Sequence, residues 1–279
     1  MIYNNMKRLY LILCLVLAFA LAANAQTVER LYVQGAKGKL AAIIQKPAAD
    51  GREKLPMVIV CHGFTGSKDE ALLCLIADSL QRRGIASIRF DFNGHGQSEG
   101  KLEEMTVPNE LEDARRVVAY CRSLPWVSDV SLVGHSQGGV VASMLAGEMG
   151  EDIHSLVLCA PAAVLRDDAL RGQLMDTHYD AGNLPDYVEF MGGSKRLGKA
   201  YFEAAQTLPI YETASRFAGP ALIIHGTADR VVPYTYGERY REVLKGGEPV
   251  LMSGVDHSFT GDGAVNRCAG LVAGFIARH

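Results

Sequence analysis

Val130-Ser131-Leu132-Val133-Gly134-His135-Ser136-Gln137-Gly138-Gly139 runs without a break into Val140-Val141-Ala142-Ser143-Met144-Leu145-Ala146-Gly147-Glu148-Met149-Gly150. The first part is a short apolar run of strand type and the second is helical in composition, so the order predicts a strand turning sharply into a helix at Ser136. Gly134 and Gly138 stand two residues to either side of the serine, where side chains would collide in so tight a turn. The backbone at Ser136 is therefore expected to be strained, with its hydroxyl projecting into a crevice. A G-x-S-x-G pattern alone arises often by chance, and it is the strand-turn-helix setting that gives this one chemical meaning.

Outward from that turn, short apolar runs alternate with longer segments of helical period, the pattern of a mostly parallel sheet covered on both faces. Strands are expected at about 29–35, 39–46, 56–61, 85–91, 129–135, 153–159, 220–225 and 248–253, which makes an eight-stranded sheet. Flanking helices are expected at about 68–83, 108–123, 137–149, 234–245 and 263–277. The rhythm fails once, between Cys159 and Pro220, where some sixty residues rich in Gly, Asp and Tyr are too long for a plain connection. Residues 162–213 are expected to form a small inserted cap, because connections from strand C-termini border the ligand crevice of open α/β sheets.

The chain has 279 residues, 48% hydrophobic and 21% charged, enough for one sizeable core. A formal net charge of −3 with no long basic run leaves no electrostatic footprint for nucleic acid or an anionic membrane, and a small, roughly neutral substrate fits better. Lys7 and Arg8 precede an apolar run from Leu9 to Ala23 and the small-x-small triplet Ala23-Asn24-Ala25. That order predicts a signal peptide over 1–25, a mature domain over 26–279, a periplasmic or secreted location and no stable membrane association after cleavage. A membrane anchor is the alternative, which the shortness of the apolar run disfavours. Cys61, Cys74, Cys121, Cys159 and Cys268 then remain, an odd number, so at least one thiol stays free. No C-x-x-C or H-E-x-x-H pattern suggests a metal, and no cofactor is expected. In Asn93-Gly94-His95-Gly96-Gln97-Ser98-Glu99-Gly100, Glu99 stands where a dinucleotide fingerprint needs its third glycine.

A serine hydroxyl needs a base that takes its proton during attack and returns it to the leaving group. His257, after the last strand-like run in SGVDHSF, is the candidate, and Asp229 in ALIIHGTADRVVP is the candidate orienting carboxylate, in the chain order Ser, Asp, His. Asp256 competes with Asp229 but is a sequence neighbour of the histidine, poorly placed to reach its ring. Among rival histidines, His135 is expected to point away from the crevice. His62 and His225 read as packed residues at strand ends, His95 as shaping a Gly-rich turn, and His154 and His178 as surface residues. An oxyanion needs preorganised backbone N–H donors, for which Gln137, after the nucleophile, and Phe64, in VIVCHGFTGSK, are the candidates.

HGFTGSK, IRFDFNGHGQSEG, VGHSQGGVVASMLAG, LCAPAA, LPIYE, IHGTADRVVP and DHSF together resemble the cinnamoyl and feruloyl esterases of the α/β-hydrolase superfamily, over nearly the whole mature chain. The resemblance implies the α/β-hydrolase fold and hydrolysis of ferulic, caffeic or p-coumaric esters, either small aromatic esters or feruloylated oligosaccharides. It also implies that Asp168 and Tyr201 lie near the phenolic end of the substrate. Met175 departs from the pattern, standing where a polar side chain would help to bind a phenol. Acetyl, acylglycerol or short peptide substrates on the same fold stay open, as does a homodimer.

Overall fold

The computed structural model describes residues 27–48 and 51–279, and the leader expected over 1–25 lies outside them. In chain order the first elements are β1 Thr27–Gln34, β2 Lys39–Lys46, β3 Leu55–Cys61, α1 Ala71–Gln81, β4 Ala86–Phe90, α2 Val107–Ser123, β5 Val127–His135, α3 Gln137–Met149 and β6 Leu156–Cys159. The cap contributes α4 Val164–Arg171, β7 Gln173–Leu174, β8 Thr177–His178, β9 Tyr187–Phe190, β10 Lys195–Gly198 and α5 Lys199–Thr207. The chain ends with α6 Ile210–Ala214, β11 Ala221–Gly226, α7 Thr235–Val243, β12 Gly247–Met252 and α8 Ala264–Ile276.

The central sheet has eight strands in the order β1, β2, β4, β3, β5, β6, β11, β12. β2 runs antiparallel to both β1 and β4, and every later pairing is parallel. Buried parallel strands must be apolar on both faces, and β3 is: Met57 and Ile59 join the core on one side of the sheet, Val58 and Val60 the core on the other. α2 and α3 cover the first face, with Val117, Val118, Val140 and Leu145 buried, while α1 and α8 cover the second with Leu73, Ile76, Val272 and Phe275. Thr106 caps α2 by accepting from the Asn109 N–H at 3.2 Å, and Pro108 fills the first turn.

Between β6 and β11 the cap is two helices and two small antiparallel hairpins. Its aromatic residues grip the body, with Phe190 stacked on Phe64 at 5.4 Å between ring centroids and Tyr201 tilted on the same ring at 6.0 Å. The last residues of the expected insertion belong instead to α6, which packs on α3 so closely that a side chain at Gly147 would meet the Thr213 carbonyl. Among the described residues all five cysteines carry free thiols, no helix is long and apolar enough to cross a membrane, and no cluster of metal-ligating side chains occurs.

The start of α3 lies hard against the end of β3. A Cβ at Gly138 would sit 2.3 Å from the His62 carbonyl oxygen and 2.5 Å from that of Cys61, both fixed backbone atoms. Gly138→Ala is expected to cost on the order of 2 kcal/mol or more of stability, read as a lower midpoint in thermal unfolding; an unchanged midpoint would mean that β3 and α3 can separate freely.

Candidate active site

Ser136 follows β5 and caps α3 with φ 56° and ψ −124°, a conformation that a non-glycine residue holds only when its surroundings force it. β6 and the turn after it supply the force: the Ser136 N–H donates to the Cys159 carbonyl at 2.9 Å, and the Ser136 carbonyl accepts from the Ala162 N–H at 3.0 Å. The two flanking glycines are required for different reasons. A Cβ at Gly134 would strike the Gly138 carbonyl across the turn at 2.2 Å, whereas one at Gly138 would strike the end of β3.

His257, on the loop after β12, and Asp229, on the loop after β11, meet this turn. Ser136 Oγ lies 2.9 Å from His257 Nε2, and His257 Nδ1 lies 2.7 Å from Asp229 Oδ2. Because a carboxylate can only accept, Nδ1 carries the hydrogen and Nε2 is free to accept from the hydroxyl. Asp229 Oδ1 accepts from the N–H groups of Val231 at 2.9 Å and Val232 at 2.8 Å. Burial works to raise the Asp229 carboxyl, but hydrogen bonds from His225 and then His257 outweigh it and hold the group well below the usual carboxylate range.

Two histidines make contacts that the sequence did not announce. His135 stays off the cavity, as expected of it, but its Nε2 lies 3.1 Å from the His257 carbonyl oxygen and its ring packs on the His257 ring at 5.1 Å, because β5 and the loop after β12 converge here. His225 is not merely packed at a strand end, since its Nε2 lies 3.1 Å from Asp229 Oδ2. Asp256 accepts instead from the N–H and hydroxyl of Thr260 and has no hydrogen bond to the imidazole.

Gln137 opens α3, and a first-turn N–H has no acceptor within its own helix. Phe64 sits in a turn closed by the Gly66 N–H on the Gly63 carbonyl at 3.0 Å. His62 pins the entry to this turn, with Nδ1 at 2.8 Å from the Gly63 carbonyl and Nε2 accepting the Phe92 N–H at 3.0 Å. Burial lowers that ring to about 3, which keeps it neutral and able to do both. Beyond the turn, Asp91 accepts from the Lys68 N–H at 2.7 Å and its ammonium at 2.8 Å, while Arg89 donates to the Lys68 carbonyl. This buried cluster is the physical content of Arg89-Phe90-Asp91, a segment legible in the sequence only as the end of a strand and as part of the resemblance.

A cavity of about 380 Å³ opens beside Ser136, bordered by Phe64, Leu165, Asp168, Met175, Tyr201 and Val232. Asp168 is ion-paired with Arg171. Tyr201 is buried and donates its hydroxyl to Gln137 Oε1 at 2.9 Å, and Gln137 Nε2 in turn donates to Glu110 Oε2 at 2.8 Å. Burial pushes Glu110 up to about 8 despite the Gln137 hydrogen bond. Met175 lines the same cavity with a half-exposed thioether and φ 53°. Glu110 escaped the sequence reading because an acid in the first turn of a helix looks like a favourable surface residue.

The family model described as serine aminopeptidase, S33, matches residues 52–178. Est1E from Butyrivibrio proteoclasticus, in a structure with ferulic acid bound, superposes with a TM-score of 0.84 at 31% identity, covering 89% of this chain and 98% of Est1E. Human protein ABHD12B is 26% identical over 222 residues, 78% of this chain, and the chain spans 57% of the length of that relative. A dienelactone hydrolase from Anabaena variabilis shares the fold, with a TM-score of 0.66 at 17% identity over 91% of this chain and 98% of that one.

The raised Glu110 has a consequence for stability. The folded chain keeps this proton over a range in which the unfolded chain has lost it, so the contribution is complete below the ordinary glutamate value and is lost as pH rises through about 8. Glu110→Gln preserves an acceptor for Gln137 and removes the titration. Its unfolding midpoint relative to the native chain is expected to rise steadily between about pH 5 and about pH 9, and a constant difference would show that Glu110 is not held protonated.

Proposed function

We propose that this chain, a member of the α/β-hydrolase superfamily, is a hydrolase and specifically a serine esterase releasing hydroxycinnamic acids through an acyl-enzyme. The observation that carries this reading is the unbroken line from Ser136 Oγ through His257 to Asp229, opening on a cavity of small-molecule size. Ser136 attacks the ester carbonyl while His257 Nε2 takes its proton, and Asp229 holds the imidazole and stabilises the imidazolium. The backbone N–H groups of Gln137 and Phe64 receive the oxyanion. His257 then protonates the leaving alcohol, water enters, and the same base activates it against the acyl-enzyme.

An aromatic acyl group is supported by the likeness to Est1E, whose structure holds ferulic acid, and by a cavity walled by Phe64, Leu165 and Tyr201. On this reading Asp168 accepts from a phenolic hydroxyl and Tyr201 borders the planar ring. Met175, polarizable but without a strong hydrogen-bonding group, leaves one side of the ring to dispersion contacts. The substrate is then a small aromatic ester or a feruloylated oligosaccharide, and the Lys7-to-Ala25 segment supports a location outside the cytoplasm.

Two measurements test the reading. Ser136→Ala is expected to lower kcat/KM on an aryl ester by roughly a thousandfold or more with folding unchanged, and residual native-level turnover in pure protein would remove Ser136 as nucleophile. Methyl ferulate is expected to outpace acetyl, long-chain acyl and aminoacyl esters by about tenfold or more in kcat/KM. Equal rates across the panel would leave a serine esterase without the aromatic preference.

A further inference from the structure

His225 lies in β11, opposite Leu251 of β12, and is buried. Its Nε2 faces two atoms, Asp229 Oδ2 at 3.1 Å and the Val232 carbonyl oxygen at 3.0 Å. Both can only accept, so the tautomer is fixed with the hydrogen on Nε2. Nδ1 is buried and has no hydrogen-bond partner among the described residues. On that side the ring is met by Gly237 of α7, where a Cβ would lie 2.5 Å from Nδ1, so a side chain at 237 would displace the imidazole. Asp229 Oδ2 thus receives two imidazole N–H groups, one from His257 at 2.7 Å and one from His225.

We propose that His225 is a positioning residue for ester hydrolysis, donating to Asp229 Oδ2 and to the Val232 carbonyl so that the carboxylate is locked in the orientation that meets His257. The inference rests on the assignment of Ser136, His257 and Asp229 to the reaction. Two backbone N–H groups already hold Oδ1, but both come from the loop that carries Asp229 itself, at Val231 and Val232. His225 is the donor that belongs to the sheet. By bonding Asp229 and Val232 together it clamps the middle of that loop to β11, so the position of Oδ2 is referred to the rigid core. His135 plays no equivalent part, since it contacts the backbone of His257 and leaves the carboxylate alone.

The test compares His225→Leu, which removes the donor, with His225→Gln, whose amide N–H reaches the place of Nε2. In the leucine variant kcat is expected to fall about tenfold to a hundredfold with KM unchanged. Fluorophosphonate labelling of Ser136 should slow in parallel, and the low-field proton resonance of the His257–Asp229 hydrogen bond should broaden or move. The glutamine variant should recover most of the rate and the resonance. Native-like kcat in the leucine variant, or equal loss in both variants, would overturn the proposal. If the leucine variant does not fold, His225→Asn, whose shorter amide cannot reach Oδ2, takes its place against glutamine with the same outcomes. Labelling of the native chain, lost in Ser136→Ala, separates the two levels: no labelling at all sinks the esterase reading, whereas normal labelling with indifferent His225 variants sinks this one alone.

Discussion

Everything at the mouth of the sheet is arranged around the absence of two side chains. Ser136 can hold φ 56° only if the turn closes on itself at Gly134 and if α3 starts in contact with the last carbonyls of β3. Those contacts fix β3, β5 and β6 relative to one another at their C-terminal ends, because the Ser136 N–H is also bound to Cys159. With the strands parallel, the loops that follow β3, β5, β11 and β12 all leave on the same side, so Phe64, Ser136, Asp229 and His257 converge although they span most of the chain.

Convergence alone would not give the distances seen. Each loop is tied down by buried polar groups that would be costly if unpaired, and the ties differ. The loop after β3 is held electrostatically, by Asp91 on the Lys68 ammonium and N–H and by Arg89 on the Lys68 carbonyl. The loop after β12 is held by the His135 imidazole on the His257 carbonyl and by the loop after β11, whose Ala228 N–H donates to the Val255 carbonyl and whose Thr227 hydroxyl accepts from the Gly254 N–H. The loop after β11 folds back on itself, with Asp229 accepting from the two residues that follow it by two and three positions. Buried charge of this kind is weak evidence for net stability, but it leaves few alternative loop conformations, because any other arrangement strands a charge in the core.

This difference between strands and ties explains what the sequence could and could not disclose. Sheet strands are apolar runs with turn residues at their ends, so all eight were readable to within a few residues, and Ser136, Asp229 and His257 were readable from motif and order. The cap hairpins were not, since β7 and β8 are two residues each and carry no period. Glu110 and His225 were missed because their partners are fixed by tertiary packing: nothing local to Glu110 announces Gln137, and His225 inside Ile-Ile-His-Gly reads as a strand terminus. The one available signal was Gly237 in the first turn of α7, a helical position where glycine is unfavourable unless another group approaches closely.

The chain Tyr201 to Gln137 to Glu110 gives the cap a different status from an independent lid. Gln137 is held at both ends of its amide, by a cap residue on Oε1 and by a buried acid on Nε2, and its own backbone N–H lies at the start of α3. Moving α5 therefore disturbs the first turn of α3, and the wall of the cavity cannot be repositioned without reaching the atoms nearest Ser136. Since Tyr201 donates its hydroxyl hydrogen to Gln137, its oxygen can only accept from anything else that approaches. Asp168 and Met175 carry no such link, one paired with Arg171 and the other half-exposed. Selectivity can thus change at positions 168 and 175 at little structural cost, while position 201 is constrained by the same contacts that hold the start of α3.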